Sequence, residues 1–324
     1  MPRYVVIGAG AVGGTIGGRL AQAGHDVVLV ARGAHLAALQ DTGLDLRTPM
    51  GAAVVTVPAV GSVAEVGWRP GDVALLAVKG QHTEGLLDEL EAVAPPDLPV
   101  VCAQNGVANE PRALRRFAHV HGMCVMLPAV HLDPGVVAAF GEPVSGILDV
   151  GRFPSGIDAV DTELAAALSG AGFVSAPHPA IMRAKHRKLL MNLANAAVAV
   201  AGREARRSEV VTRAVAEGEA VLAAAGIDVA SADEDLTRRA DGFTIGTVEG
   251  VERGLGSTFQ SLQRGTGSVE VDTLNGEIVL LGRLHGVPTP VNEGLRRLGH
   301  RAARERWPAG QMSAADLEAA VLPT

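Results

Sequence analysis

The residues that most plainly carry chemistry lie near the start of the chain. Gly8-Ala9-Gly10-Ala11-Val12-Gly13 is a G-x-G-x-x-G run set directly after the apolar stretch Tyr4-Val5-Val6-Ile7. Between a strand and a helix, such a run binds the pyrophosphate of a dinucleotide. Gly8 permits the tight turn, Gly10 lets the backbone approach the phosphates, and Gly13 allows close helix–strand packing. The helix start adds N–H donors and the positive end of a dipole. The plainer alternative is that the glycines only tighten a turn. The next apolar run, Asp26-Val27-Val28-Leu29-Val30, ends in Ala31-Arg32-Gly33. An acid at that tip would bind the ribose 2′-hydroxyl of NAD. Asp26 sits at the other end, about 13 Å from the tip at the usual strand rise. Arg32 instead suits a 2′-phosphate, so NADP(H) is the expected cofactor.

Lys79 follows the apolar run ending at Val78, and Gln104-Asn105-Gly106 closely follows the one ending at Cys102. Both fall at the C-terminal ends of expected strands, where open α/β sheets bind ligands. Asn105 at such a tip can hydrogen-bond a ribose or a substrate, or Asn105-Gly106 can be a turn. Further on, Lys188 and Asn192 share a helix face at i,i+4, with Asn195 close to it at i+7. A cation with two amides in an apolar helix makes a polar stripe that asks for a partner; a lysine snorkelling at a helix edge is the bland reading. Lys185 is the rival cation. Ser257 reads as an N-cap or a ligand hydroxyl, and Glu270 and Asp272 as acids near a helix start. The ten histidines show no metal-ligand spacing, so no metal is expected. Two cysteines, Cys102 and Cys124, without a CxxC pair exclude a zinc ribbon and a disulfide framework.

The elements that must hold these residues follow from hydropathy. Continuous apolar runs alternate with helical stretches through the first half, the pattern of a parallel sheet covered on both faces. Residues 121–151 are Val- and Gly-rich and are expected to extend that sheet. Beyond Ser175-Ala176-Pro177-His178-Pro179 the periodicity is helical almost to the end. The expected fold is α/β: an N-terminal Rossmann-type, mainly parallel sheet over residues 1–176, then an all-α domain over 177–324. At 324 residues, 48% hydrophobic, the chain can bury such cores. With 3% aromatic residues and a net charge of −7, it is poorly suited to nucleic acid or an anionic membrane. The longest apolar run, 189–202, is too short to span a bilayer, and a cytoplasmic location is expected.

In order and spacing, these motifs resemble the ketopantoate reductase (2-dehydropantoate 2-reductase) family. The marks are the glycine run, Val30-Ala31-Arg32-Gly33, Val78-Lys79, Gln104-Asn105-Gly106, Lys188-Leu189 with Asn192, Ser257 with Gln260, Glu270-Val271-Asp272 and His285-Gly286-Val287-Pro288-Thr289-Pro290. The resemblance implies a cleft between the two domains and NADPH-dependent reduction of a 2-oxo acid, with ketopantoate as the leading substrate. It implies Lys188 as general acid, Glu270 as a substrate-orienting carboxylate, Asn105, Asn192 and Ser257 on the substrate, and Lys79 near the cofactor. Asn195, on the Lys188 stripe, joins the substrate-binding candidates, and Asn105 also counts among the cofactor contacts. Family members include homodimers. The chain departs from the family pattern at His186, Ala196 and Ser261. The competing readings are a paralogue acting on another branched 2-oxo acid or an imine, and a non-catalytic NADP-binding sensor.

Overall fold

The computed structural model describes residues 2–240, 242–265 and 267–322; the side chain of Ser257 lies outside the described set. The strands are β1 (Arg3–Ile7), β2 (Val27–Val30), β3 (Leu44–Thr48), β4 (Gly51–Val55), β5 (Ala59–Val60), β6 (Asp72–Leu76), β7 (Val100–Cys102), β8 (Val120–Met126), β9 (Ala129–His131), β10 (Val136–Ala139), β11 (Gly141–Glu142), β12 (Ile147–Arg152) and β13 (Thr244–Ile245). The helices between and after them are α1 (Ala11–Gln22), α2 (Gly33–Asp41), α3 (Thr83–Glu91), α4 (Asn109–Leu114), α5 (Ala159–Gly170), α6 (Ile181–Asn192), α7 (Ala194–Ala201), α8 (Glu209–Ala224) and α9 (Ala232–Ala240). Four more close the chain: α10 (Ser257–Gln263), α11 (Asn275–His285), α12 (Pro290–Arg304) and α13 (Ala314–Val321).

The main sheet has the order β12-β8-β7-β6-β1-β2-β5 and is parallel except where β12 pairs with β8. The chain runs outward from β1 to β2 and β5, then returns to β6 on the other side of β1. That reversal beside β1 is the switch point where such sheets hold ligands. The apolar runs are continuous because both faces are covered. Tyr4 and Val6 enter one core with Leu29 and Leu75, while Val5 and Ile7 enter the other with Leu76 and Val100. At the opposite end of the strands, Arg3 grips buried Asp72 with two hydrogen bonds, 2.8 and 2.6 Å, fixing β1 beside β6.

Residues 121–151 only partly extend this sheet. β8 and β12 do so, whereas β9 and β10 join β3 and β4 in a second sheet of order β4-β3-β10-β9. α1 packs against β1 and β2 of the first sheet and against β3, β9 and β10 of the second. Its glycines make that possible. A Cβ on Gly17 would lie 2.5 Å from Leu29 Cδ2, and one on Gly18 would lie 2.8 Å from Leu44 Cδ2. Close approach on both sides outweighs the propensity cost of about 1 kcal/mol per glycine.

The chain divides into two compact units: Met1–Asn105, Asn109–Lys185 and Ala232–Arg253 form the first, and Gly106–Ala108, His186–Ser231 and Gly254–Thr324 the second. The first thus continues beyond residue 176, to Lys185. Residues 174 and 177 bridge to β12, and His178 N–H donates to Val150 O. It also takes back 232–253, a stretch expected to be helical and distal: α9 is tied by Arg238 to Asp149 and by Glu234 to Arg183, and β13 pairs with β11. In the second unit every described regular element is helical. A buried polar network sits inside it. Asn275 donates to Leu193 O and Asn292 Oδ1, and Asn292 donates to Ala214 O and Glu217. No helix among the described residues is long and apolar enough to cross a membrane. Both cysteines are buried and neither forms a disulfide; burial, with the charge of Glu110 adding to it, pushes the Cys102 thiol well above its usual range.

Candidate active site

The glycine turn follows β1 at the switch point. A Cβ on Gly13 would lie 2.1 Å from Gly8 O, and one on Gly8 would lie 2.9 Å from the Val78 backbone N. These two glycines serve packing. Gly10 differs: a Cβ there would meet nothing within 4 Å. It is the N-cap of α1, with φ −72° and ψ −156°, and no side chain caps the helix. The first-turn N–H groups of a helix lack intrahelical acceptors, so this turn offers donors and a dipole to an anion. The N–H groups of Gly8 and Ala9 are spent on Val30 O, at 3.0 and 3.2 Å. The donors facing a ligand would therefore come from Gly10, Ala11, Val12 and Gly13. This is a cradle that fits a pyrophosphate.

Arg32 is the N-cap of α2, just past the β2 tip. Its side chain is 73% exposed and lies 3.4 Å from Glu89 of α3. Such an exposed pair contributes little, which leaves the guanidinium available to a phosphate. Asp26, at the far end of β2, is paired with Arg69. Lys79 is half-buried and caps the short helix Gly80–His82 past the β6 tip. Gln104 locks the neighbouring tip: its amide nitrogen donates to Val78 O at 2.7 Å and to Thr83 Oγ1 at 2.9 Å. Beside it, Asn105 Oδ1 is buried with no hydrogen-bond partner in the protein. An orphaned acceptor is costly, and a ligand donor would satisfy it.

The two lysines of α6 have different surroundings. Lys185 is 3% exposed. Its ammonium lies 2.7 Å from Glu110 Oε1 and donates to Gln104 O at 2.9 Å and Met123 O at 3.0 Å. An ammonium has three protons, so these partners consume it. Lys185 is a pin that ties the first half of α6 to the end of β7 and the middle of β8. Gly122 leaves room for it, since a Cβ there would lie 3.2 Å from Lys185 Cδ and 3.4 Å from Glu110 Oε1. Lys188, one turn later, is half-buried and belongs to the second unit.

Lys188 and Asn192 share a face of α6, whose last residue is Asn192. Asn192 Nδ2 is buried without a hydrogen-bond partner in the protein. Asn195 sits on α7, past a break at Leu193, and its Oδ1 is 3.9 Å from the Cβ position of Gly256. That glycine, at φ +127°, is the N-cap of α10, so Ser257 is the first helical residue and not the cap. Its hydroxyl, a substrate-binding candidate, lies outside the described residues. Glu270 is half-buried and caps the short helix Val271–Thr273. Asp272 is drawn to α12 instead, 2.8 Å from His300 and 3.1 Å from Arg296. Gly106, at φ +80°, packs where a Cβ would be 2.7 Å from Thr273 O. The residues missed from sequence are Glu110 and the Asn275–Asn292–Glu217 network; only their contacts reveal them.

Comparison with known proteins gives the family. Residues 4–155 match the family described as ketopantoate reductase PanE/ApbA, and residues 180–302 match ketopantoate reductase PanE/ApbA C terminal. The chain belongs to the ketopantoate reductase family. A 2-dehydropantoate 2-reductase of Archaeoglobus fulgidus is 30% identical over 305 residues, covering 91% of this chain and 96% of the relative. One from Halobacterium salinarum is 28% identical over 317 residues, covering 94% and 99%. A PanE/ApbA family ketopantoate reductase structure from Ralstonia eutropha JMP134 superimposes with a TM-score of 0.79 at 30% identity, covering 94% of this chain and 99% of that one.

Membership makes the chain an oxidoreductase of the pyridine-nucleotide-dependent kind. Within the ketopantoate reductase pattern, the three departures all fall at packed positions: His186, Ala196 and Ser261 are 9%, 2% and 2% exposed. Among the described residues one group, His121 with Asp158 and Asp161, brings three ligand-type atoms within 4.8 Å. Asp158 accepts from the backbone of α5 and Asp161 returns a bond to Asp158 N–H, forming a capping box. Asp161 also holds His121 Nδ1 at 2.7 Å. These contacts tie β8 to α5 and account for the carboxylates without an ion.

Proposed function

We propose that this protein reduces ketopantoate to pantoate with NADPH, a step toward coenzyme A. The observation that supports the chemistry most is the Lys188–Asn192 face, a half-buried ammonium one turn from an amide donor without a protein partner. When bound, NADPH supplies a hydride to the ketone carbon. The carbonyl oxygen then gains negative charge, and an ammonium beside it stabilises that charge and delivers the proton that completes the alcohol. Lys188 has this role. Asn192, with Asn195 farther along, orients the oxo acid by amide hydrogen bonds. Ser257 binds its carboxylate, the orphaned Asn105 Oδ1 accepts from a hydroxyl of the substrate or of the cofactor ribose, and Glu270 accepts from the substrate hydroxyl. Gly10, Ala11, Val12 and Gly13 hold the pyrophosphate with backbone N–H groups, Gly8 and Ala9 shape the turn, Lys79 lies near the cofactor, and Arg32 pairs with the 2′-phosphate. A cytoplasmic homodimer is the form this reading expects.

A spectrophotometric screen of 2-oxo acids with NADPH tests the proposal. Ketopantoate is expected to give the highest kcat/KM. NADPH oxidation with a different branched acid and none with ketopantoate would overturn it, and NADPH binding without turnover of any carbonyl would point to a sensor.

A further inference from the structure

We propose that His35 is a positioning residue for the cofactor, a clamp that holds the glycine turn in its phosphate-binding conformation. The proposal rests on reading that turn as the dinucleotide site. His35 lies in the first turn of α2, three residues past Arg32, and is half-buried. The N–H of Gly135 reaches its Nδ1 at 2.8 Å. A backbone N–H only donates, so Nδ1 accepts, and the single proton of the ring is on Nε2. Nε2 is 2.7 Å from the carbonyl oxygen of Ala9. His35 therefore donates to the turn between the first two glycines of the run.

The far side of the clamp is itself fixed. Gly135 sits in the turn joining β9 to β10, its carbonyl accepts from Asp45 N–H at 2.8 Å, and a Cβ on it would be 3.0 Å from Ala38 Cβ. His131 of β9 packs its ring on His35, centroids 4.4 Å apart and tilted 59°. The second sheet thus braces the ring that braces the turn.

The consequence lies in one peptide unit. The peptide between Ala9 and Gly10 is planar and trans, so its C=O and N–H point in opposite directions. Holding the Ala9 carbonyl against His35 aims the Gly10 N–H away from His35, at the uncapped start of α1. Releasing the carbonyl lets the peptide turn over, which would present an oxygen to a phosphate where a donor is needed. His35 excludes that state before the nucleotide arrives, and preorganisation of this kind appears in affinity.

Three variants separate the two ends of the clamp. Gln at position 35 keeps an amide donor able to reach Ala9 O. Asn is shorter and keeps only an acceptor near Gly135 N–H. Ala keeps neither. Steady-state kinetics and fluorescence titration with NADPH are expected to give His35→Ala and His35→Asn a KM and Kd for NADPH about tenfold above wild type, the loss of one well-placed hydrogen bond. His35→Gln is expected to recover most of that affinity. The KM for the oxo acid and kcat are expected to stay within about twofold, because neither contacts the clamp. Equal affinity in all four proteins overturns the clamp, as does a loss that Gln fails to repair while thermal melts show all variants folded. Wild-type protein that does not bind NADPH overturns the dinucleotide reading itself, and the clamp with it.

Discussion

The glycine turn and helix α6 solve different problems in different ways. The turn works through backbone. Its N–H groups, its sharp entry and its tolerance of close approach come from residues that are adjacent in sequence, and Gly8 and Gly13 have contacts that admit no side chain. Helix α6 works through side chains, and there position alone decides little. Lys185 and Lys188 are three residues apart on one helix, yet Lys185 is held by Glu110 and two backbone carbonyls in the first unit while Lys188 belongs to the second. A site built from backbone is encoded locally, whereas a site built from side chains depends on what the rest of the fold places around each one.

The largest expected effect falls on α6. Lys188→Ala is expected to lower kcat by about 10²–10⁴-fold, the range for removing a positioned acid, in single-turnover NADPH oxidation. Lys185→Met addresses its neighbour and acts on stability instead. It leaves Glu110 buried and unpaired, a cost of about 3–5 kcal/mol, read by urea unfolding. Adding Glu110→Gln is expected to restore much of it. If Lys185→Met kept its stability and lost its turnover, the two lysines would exchange roles.

The turn divides in the same manner. Gly13→Ala is expected to destabilise by about 1–3 kcal/mol, because the new Cβ overpacks against Gly8 O. Gly10→Ala is expected to leave stability within about 0.5 kcal/mol, as at sites without special contacts, and to weaken NADPH, since the methyl would enter open space at a φ that alanine accepts. Arg32→Ala sharpens the cofactor assignment. Losing a charge-assisted hydrogen bond corresponds to about tenfold or more in KM for NADPH, with little change for NADH; equal effects on both would remove the 2′-phosphate pairing. The smallest effect is at Asp272. Burial alone would raise its carboxyl, but hydrogen bonds and charge from His300 and Arg296 hold it below the usual range. Its folded-state value is depressed, so its contribution is present above the ordinary aspartate range and lost as pH falls through the depressed value. Asp272→Asn is expected to lower Tm slightly at pH 7, with the gap closing as the pH is taken below about 4.

Much of this was legible in the sequence. The glycine run, the apolar strands and the Arg32 tip are local patterns, and the main sheet and the helical second unit follow from hydropathy period. The second sheet was not, because β9 and β10 carry the same Val-rich signature as β8 and only pairing with β3 separates them. The return of 232–253 to the first unit was invisible for a similar reason: it depends on Arg238, Glu234 and a two-residue strand finding partners far away in sequence. The rivalry between Lys185 and Lys188 could be posed from spacing, but the ion pair that holds Lys185 could not be seen there, because its partner Glu110 lies far away in sequence, buried in α4.

The most direct test of this division of labour measures NADPH affinity by fluorescence titration and kcat with ketopantoate in Lys188→Ala and Gly10→Ala, side by side. The account predicts that Lys188→Ala binds NADPH as wild type does and turns over at least about a hundredfold more slowly, while Gly10→Ala loses affinity and remains as stable as wild type. A Lys188→Ala protein with near-normal kcat, or a Gly10→Ala protein with unchanged affinity, would contradict it.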